Sequence, residues 1–252
     1  MHKTRLIARI DVKNEFVIKG IHLEGLRKIG NPIEIAKKYY EEGIDEILFM
    51  DAVASLYGRN NIFDIINKSC KHVFVPITIG GGIRSIEDIE IALKSGADKI
   101  AINTQAIKTP QLIKEASRIF GSQCIVGSIE AKKNNSSWEA YINNGRDQTS
   151  IDAIEWAQTL ESLGIGELLI TSIDMEGTKK GFDNELINKI SSKVNVPIIS
   201  CGGAGNPDHI STLKLKNETL SGVALASILH YNTYTISQIK NSLFESGIQV
   251  RI

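Results

Sequence analysis

Short apolar runs recur along the chain, and longer stretches with helical periodicity separate them. The runs are rich in Ile, Val and Leu and are continuous rather than alternating, as is typical of parallel strands that are covered on both faces. They predict eight strands, at residues 5–11, 46–51, 73–79, 98–103, 124–130, 167–173, 196–200 and 222–227.

The stretches between these runs repeat apolar residues at helical spacing. Those at 31–43, 85–96 and 150–164 begin at Asn or Ser and end at Gly, which is how capped helices commonly begin and end. Eight strand–helix units in a chain of 252 residues match the size of a TIM barrel. The sequence therefore predicts an α/β fold, a single (β/α)8 barrel over residues 1–252.

The two halves of the chain resemble each other. PIEIAKKYYEEGIDEILFMD aligns with AIEWAQTLESLGIGELLITS, and VPITIGGG aligns with VPIISCGG, both with an offset of 121 residues. ARIDVK aligns with GSIEAK at an offset of 119, which pairs Asp11 with Glu130. This spacing is far longer than that of solenoid repeats. We predict two duplicated four-stranded half-barrels, at about 1–120 and 121–252.

Two glycine-rich stretches follow matching strands in the two halves. IGGGIRS lies at 79–85 and SCGGAGN at 200–206. Loops after barrel strands form the active face, and glycine lets backbone N–H groups approach a phosphate closely. A single glycine triplet could be just a tight turn, but the duplicated pair favours two phosphate sites on opposite sides of one mouth. The expected ligand is long and carries a phosphate at each end.

Acidic residues are found at predicted strand ends, which place them in space between the two glycine-rich loops of the predicted barrel mouth. Asp11 ends the first strand and Glu130 the fifth, so they face each other across the predicted barrel. A carboxylate at a strand end can also be a helix cap or an ion-pair partner. Two opposed carboxylates suit general acid–base catalysis on an ordered substrate. The five histidines show no ligand spacing, so we expect no metal site and no cofactor.

Composition narrows the class of protein further. Lys+Arg and Asp+Glu are both 29, and this balance argues against a general nucleic-acid binder. No apolar run approaches the ~20 residues that span a bilayer, and the N-terminus is too charged for a secretory signal. Three cysteines without ligand spacing favour structural thiols over a disulfide framework. We expect a cytoplasmic protein that binds neither nucleic acid nor membranes.

Several longer strings carry a resemblance to a known family. The chain is similar to the cyclase subunit of imidazole glycerol phosphate synthase over nearly its whole length. The strings concerned are ARIDVKNEFVIKGIHLEGLRKIGNP, DAVASLYGR, ITIGGGIRSIEDIEIALKSGADKIAINT, FGSQCIV, GTKKGFD and SCGGAGN. The segment KLKNETLSG at 214–222 departs from the family's usual lead into the eighth strand.

The resemblance implies a two-fold TIM barrel and a defined reaction. Ammonia from a separate glutaminase subunit, which docks at the N-terminal face to give a heterodimer, crosses the barrel to the C-terminal face. There it reacts with a bis-phosphorylated ribulosyl-formimino aminoimidazole carboxamide ribonucleotide. The products are imidazole glycerol phosphate and aminoimidazole carboxamide ribonucleotide. This is lyase chemistry of histidine biosynthesis within a glutamine amidotransferase complex.

The same resemblance assigns roles to individual residues. The catalytic acids fall at Asp11 and Glu130, and the lysine of the first loop falls at Lys19. The phosphate contacts fall at Gly82, Asn103 and Thr104 for one end of the ligand and at Gly177, Gly203 and Ser227 for the other. An ammonia gate falls at Arg5, Glu46, Lys99 and Glu167, and the glutaminase contacts fall at Asp98 and Gln123. A paired ring of charges could also simply close the barrel floor.

Three positions depart from the family's pattern. Glu130 and Glu176 replace aspartates, and Arg9 stands where a small thiol is common. A displacement of a reacting group by about 1 Å can lower a rate roughly 100-fold. These changes resemble a paralogous branch in which the barrel and its glutaminase feed ammonia to a sugar amidotransferase of surface-polysaccharide biosynthesis. That enzyme turns an acetamido group into an acetamidino group, so an ammonia-conducting role is the alternative function.

Overall fold

Eight parallel strands close into a barrel in the computed structural model, which describes residues 3–54, 62–217 and 219–251. In order around the ring the strands are β1 (Arg5–Lys13), β4 (Glu46–Asp51), β5 (Ile77–Gly80), β6 (Lys99–Ile102), β7 (Ile125–Asn134), β10 (Glu167–Ser172), β11 (Ile198–Cys201) and β12 (Leu220–Leu225). Parallel pairing of β12 with β1 closes the ring. The predicted TIM barrel is confirmed.

Helices connect the strands and cover the outside of the barrel. They are α1 (Pro32–Glu41), α2 (Ile62–Ser69), α3 (Ile86–Lys94), α4 (Thr104–Lys108), α5 (Gln111–Phe120), α6 (Ala153–Ser162), α7 (Asn184–Ser191), α8 (Pro207–Lys216), α9 (Ser227–His230) and α10 (Ile236–Glu245). Asn31 and Ser85 cap α1 and α3, as the sequence predicts. None of the helices in the described part of the chain has the length and apolarity needed to cross a membrane.

Two β-hairpins, which the apolar pattern does not predict, extend the C-terminal ends of two barrel strands. β2 (Phe16–Ile21) and β3 (Glu24–Gly30) follow β1, and β8 (Ser137–Ile142) and β9 (Asp147–Asp152) follow β7. β2 and β8 pair antiparallel with the ends of β1 and β7. The prediction that these two barrel strands end at Asp11 and Glu130 is therefore wrong. Both strands continue beyond the acids because the hairpins give their last residues pairing partners.

Several strand boundaries also differ from the prediction. β5 and β11 begin directly after Pro76 and Pro197, because proline has no N–H to donate to a ladder. The residues before Pro76 lie outside the sheet, and Phe74 is 74% exposed. Cys124, which the prediction places in a strand, belongs to a 3₁₀ turn at Ser122–Cys124. α6 is capped by Asp152, since the residues before this helix form β9.

The barrel interior and the layer between barrel and helices are separate apolar regions. Along β1, Leu6, Ala8 and Ile10 pack in the outer layer, whereas Ile7 packs inside the barrel. The inner cluster is formed by Ile7, Leu48, Met50, Ala101, Val126, Leu169, Ile199, Cys201 and Ala224. Charged side chains of β1 lie on both sides of this inner cluster, with Arg5 before Ile7 and Asp11 after it.

Candidate active site

Asp11 and Glu130 lie on opposite sides of the barrel mouth. Their strands, β1 and β7, are four positions apart in the ring of eight. Both side chains are buried, with 6% and 4% of the residue surface exposed. Both acids are therefore buried at the mouth, although neither ends its strand.

Arg9 forms an ion pair with Asp11. Its Nε lies 2.9 Å from Asp11 Oδ1, and its Nη1 donates to Thr171 Oγ1 at 3.0 Å and to Cys201 Sγ at 3.4 Å. Thr171 is in register with Glu130 on the neighbouring strand, so the guanidinium reaches from one acid to the strand beside the other. Burial alone would lower the pKa of Arg9, but nearby negative groups, Asp11 foremost, raise it well above its ordinary value.

Glu130 is held by two hydrogen bonds to the same oxygen. Its Oε2 accepts from Asn103 Nδ2 at 2.9 Å and from the Gly145 N–H at 2.8 Å. Burial is the largest influence and raises the pKa of Glu130 to about 7, while the charge of Arg9 opposes the rise. At neutral pH this carboxyl is divided between its protonated and ionised forms, which suits a group that exchanges a proton.

The raised pKa of Glu130 predicts a pH-dependent stability. Between its ordinary pKa of 4.5 and its folded value of about 7, the folded state binds the proton more tightly than the unfolded state does. The free energy of unfolding therefore falls as pH rises through this window, by about 3 kcal/mol in total. Glu130→Gln keeps an acceptor for Asn103 and Gly145 and removes the titration. We expect urea denaturation to show that wild type loses about 2–3 kcal/mol relative to this variant from about pH 5 to about pH 8.

A matched change elsewhere controls for the loss of one acid. Glu87 lies in the exposed first turn of α3, and Glu87→Gln alters net charge in the same way. Its stability curve should stay parallel to that of wild type over the same window. Parallel curves for wild type and Glu130→Gln would contradict the prediction.

The first pocket lies beside Glu130, with a volume of about 680 Å3 that includes its opening to solvent. It brings together the three residues predicted for one phosphate, Gly82, Asn103 and Thr104. The strand ends at Ile102 rather than at the predicted Asn103, which directly precedes α4, and Thr104 is the first residue of that helix. The exposed cations Arg84 and Lys108 also line this pocket, together with the acids Asp51 and Glu130.

The second pocket lies across the mouth and has a volume of about 310 Å3. It brings together the residues predicted for the other phosphate, Gly177, Gly203 and Ser227. Ser227 is the first residue of α9, whereas the prediction makes it the end of a strand. Lys19 and Arg9 line the same pocket, so each pocket has two cations and several small residues.

Lys19 and Glu176 form a buried ion pair at the edge of the second pocket. Lys19 Nζ also donates to the Gly20 carbonyl at 2.9 Å, and Glu176 Oε2 accepts from the Leu23 N–H at 3.0 Å. Glu176 thus ties the hairpin of β2 and β3 to the loop that follows β10. This role for Glu176 depends on a hairpin that the sequence analysis lacks.

Close backbone approach explains two of the glycines in the glycine-rich loops. A Cβ on Gly81 would lie 2.2 Å from the Asp51 carbonyl oxygen, and one on Gly203 would lie 1.8 Å from the Gly181 carbonyl oxygen. Both have positive φ, 89° and 107°, which disfavours side chains further. These two glycines are required by the fold of the loops as well as by the space in the pockets.

Four charged residues form a closed ring at the N-terminal end of the barrel. Arg5, Glu46, Lys99 and Glu167 are each the first residue of a barrel strand. Arg5 Nη1 lies 2.7 Å from Glu46 and its Nη2 pairs with Glu167, while Lys99 Nζ lies 3.3 Å and 3.0 Å from the same two acids. Burial would lower the pKa of Arg5, but the two carboxylates raise it.

Asp98 and Gln123 lie on the same end of the barrel as this ring. Asp98 directly precedes Lys99 and accepts a hydrogen bond from the Ile77 N–H at 2.8 Å. Gln123 lies in the 3₁₀ turn before β7. Both residues are exposed, so a protein bound to this end could contact them.

Some residues of the mouth were missed by sequence reasoning because they belong to the hairpins. Gly145 donates to Glu130, and Asn144 lines the first pocket. A signal was present in the string NNG at 143–145, where all three residues have positive φ, since such strings are typical of tight hairpin turns. The sequence marks Arg9 only as a departure from the family's pattern.

The structure also gives the surroundings of one buried histidine and the state of the three cysteines. His230 is buried, its Nδ1 lies 2.7 Å from the Tyr39 hydroxyl, and burial lowers its pKa to about 4. Cys70, Cys124 and Cys201 are free thiols. His2 and the part of DAVASLYGR after residue 54 lie outside the described residues.

The fold and the mouth define a class of protein: a (β/α)8-barrel enzyme with two opposed acids and two glycine-lined pockets at one mouth. Comparison with protein families narrows the class. The model of the family described as histidine biosynthesis protein matches residues 5–235, and the chain belongs to that family.

Curated relatives carry the name imidazole glycerol phosphate synthase subunit HisF. The protein from Legionella pneumophila is 55% identical over 212 residues, which are 84% of this chain and 100% of that protein. Those from Bacillus cereus strain G9842 and Thermococcus onnurineus strain NA1 are each 44% identical over 249 residues, 98% of both chains. The similarity thus covers nearly the whole barrel.

Proposed function

We propose that this protein is the cyclase subunit of an imidazole glycerol phosphate synthase. One observation carries the proposal: the opposed acids Asp11 and Glu130 share one mouth with two pockets, which are lined by the residues expected to hold the two phosphates. The substrate is a bis-phosphorylated ribulosyl-formimino aminoimidazole carboxamide ribonucleotide. Ammonia converts it into imidazole glycerol phosphate and aminoimidazole carboxamide ribonucleotide. The proposed location is the cytoplasm, where charged phosphorylated intermediates are retained.

Asp11 and Glu130 divide the proton transfers in this proposal. Glu130, with its pKa raised to about 7 by burial, is protonated in part at neutral pH and can donate a proton. Asp11, in its ion pair with Arg9, is suited to accept one. Ring closure and release of the second product both require proton transfer, and a substrate fixed at both phosphates would hold its reacting atoms between the two acids.

Ammonia enters this scheme from the N-terminal end of the barrel. A glutaminase subunit bound over Asp98 and Gln123 would release it next to the ring of Arg5, Glu46, Lys99 and Glu167. The apolar inner cluster then separates the ring from the mouth. A neutral ammonia molecule can pass through such an interior, whereas ammonium would have to lose its hydration shell.

The proposal predicts which source of ammonia the chain can use. With the bis-phosphorylated substrate and ammonium salts, the purified protein should form imidazole glycerol phosphate without any partner. With glutamine in place of ammonium it should form none, because no glutaminase is present. Addition of the cognate glutaminase subunit should make glutamine an effective source. Product is measured by chromatography of the reaction mixture.

Two results would argue against the proposal. If the folded protein forms no product with ammonium salts, the proposed cyclase activity is contradicted. If product forms from glutamine without the glutaminase subunit, the proposed separation of glutaminase and cyclase between two subunits is contradicted. A one-to-one complex on size exclusion supports the partner, and its loss in a variant with both Asp98→Ala and Gln123→Ala would identify the face.

One observation favours a second candidate, a conduit that supplies ammonia to a sugar amidotransferase. Arg9 forms an ion pair with Asp11, and a glutamate stands at position 130 in place of the family's aspartate. Neither acid of the mouth therefore has the arrangement that is usual in the family. A conduit needs a path and a partner but no positioned acids. Complementation separates the two candidates: growth without histidine of a strain that lacks its own cyclase supports the first, and failure of a well-expressed chain supports the second.

A further inference from the structure

Arg9 reaches across the barrel interior at the base of the mouth. It belongs to β1, yet its Nη1 donates to Thr171 on β10 and to Cys201 on β11. β10 and β11 lie three and two strands away from β1 around the ring. The guanidinium is therefore fixed at three points: by Asp11, by Thr171 and by Cys201.

One terminal nitrogen of Arg9 is left without a partner. Arg9 is 2% exposed, and its Nη2 has no hydrogen bond to any residue in the described part of the chain. A buried charged donor without an acceptor is costly, and such groups in native structures commonly serve a bound ion, water or ligand. The fixed orientation of the guanidinium prevents Nη2 from turning to another protein acceptor.

Arg9 also lines the second pocket, together with Gly177, Gly203 and Ser227, whose small side chains leave room for a group the size of a phosphate. Lys19, the other cation of the pocket, is already engaged by Glu176 and by a backbone carbonyl. Arg9 thus provides free donors where Lys19 has committed its own.

We propose that Arg9 is a binding residue for the phosphate group in the second pocket, through Nη2. The planar guanidinium presents paired N–H donors that match phosphate oxygens, and a charge-assisted hydrogen bond of this kind is among the stronger ones. The inference rests on the proposed function only for the identity of the whole ligand. The binding of a phosphate group by Arg9 does not depend on the cyclisation.

In this role Arg9 contacts both a protein acid and the ligand. The same guanidinium contacts Asp11 through Nε and the phosphate through Nη2. A phosphate that draws on Arg9 would therefore bind next to the acid and fix the distance between the ligand and Asp11. Position 9 becomes a determinant of which ligand the mouth accepts, because a smaller residue there would leave the phosphate without the guanidinium donors.

The test uses inorganic phosphate and two backbone reporters. Titration of 15N-labelled protein should shift the amide signals of Gly203 and Gly82, one in each pocket. In Arg9→Met, phosphate should bind about 10- to 100-fold more weakly at Gly203, the loss expected for one charge-assisted hydrogen bond, and unchanged at Gly82. Lys108→Met, which removes a cation from the first pocket, should show the reverse pattern.

Loss of the Arg9 charge leaves Asp11 unpaired, so a second variant protects the test against unfolding. Arg9→Met combined with Asp11→Asn removes both charges, and it should bind phosphate as weakly at Gly203 as Arg9→Met does. Asp11→Asn alone should bind at least as tightly as wild type. Equal affinity at Gly203 in wild type and either Arg9→Met variant would overturn the proposal, as would a wild-type protein whose Gly203 signal does not respond. Weakened binding together with absent cyclisation would reject the proposed function and leave this inference standing.

Discussion

The Asp11→Asn variant should lose about 100- to 10,000-fold in ammonia-dependent turnover, the range by which a positioned acid or base accelerates a reaction. The amide fits the space of the carboxylate but can neither accept a proton nor hold the charge that Arg9 faces at 2.9 Å. The measurement is the rate of imidazole glycerol phosphate formation with ammonium salts at saturating substrate. Because the change leaves a buried guanidinium unpaired, a thermal melt must accompany it and show a folded protein at the assay temperature.

Glu130→Asp is the matched control for this experiment. It shortens the acid by one methylene and preserves its charge, so turnover should stay the same or rise if Glu130 reaches the reacting atoms in a bent conformation. If Asp11→Asn keeps the turnover of wild type, Asp11 does not take part in the reaction. With a sugar substrate and a third protein present, a full loss in Asp11→Asn would instead exclude the conduit, since transport alone needs no positioned acid.

The barrel could be predicted from sequence because its strands are buried on both faces. Runs such as EILFMD and ELLITS hold three or four consecutive apolar residues, and both form strands with the predicted starts. The predicted cap Asn31 also holds its helix. These features are local, since burial on both faces and a cap three residues from its partner leave their pattern in adjacent residues.

The contacts that define the mouth could not be predicted in the same way. Arg9 bonds to residues 162 and 192 positions away, and Lys19 pairs with a residue 157 positions away. No local pattern records such distances, so the resemblance to a family could locate these positions but could not give the new partners of Arg9. The division into half-barrels stays a prediction, although β1 and β7 are each followed by a hairpin.

The charged ring should respond very differently to the loss of each of its two cations. Arg5 bridges Glu46 and Glu167 and also bonds to Ser221, and its side chain is 13% exposed. Arg5→Ala leaves two buried carboxylates facing Lys99 alone, which should lower the free energy of unfolding by about 3–5 kcal/mol. For a domain of this size that corresponds to a fall of roughly 6–20 °C in the melting temperature.

Lys99→Ala removes the other cation of the same ring and serves as the comparison for Arg5→Ala. Arg5 still pairs with both acids after the removal of Lys99, so the free energy of unfolding should fall by clearly less than in Arg5→Ala. The variant should remain folded, but its ring is open where Lys99 is missing. Ammonia from the glutaminase subunit should then escape before it reaches the mouth. The yield of product per glutamate released should fall in Lys99→Ala, while turnover with ammonium salts should stay near that of wild type.

Equal melting temperatures for the two variants would show that Arg5 does not hold the ring together. An unchanged yield per glutamate would mean that the ring closes the barrel floor without controlling the passage of ammonia.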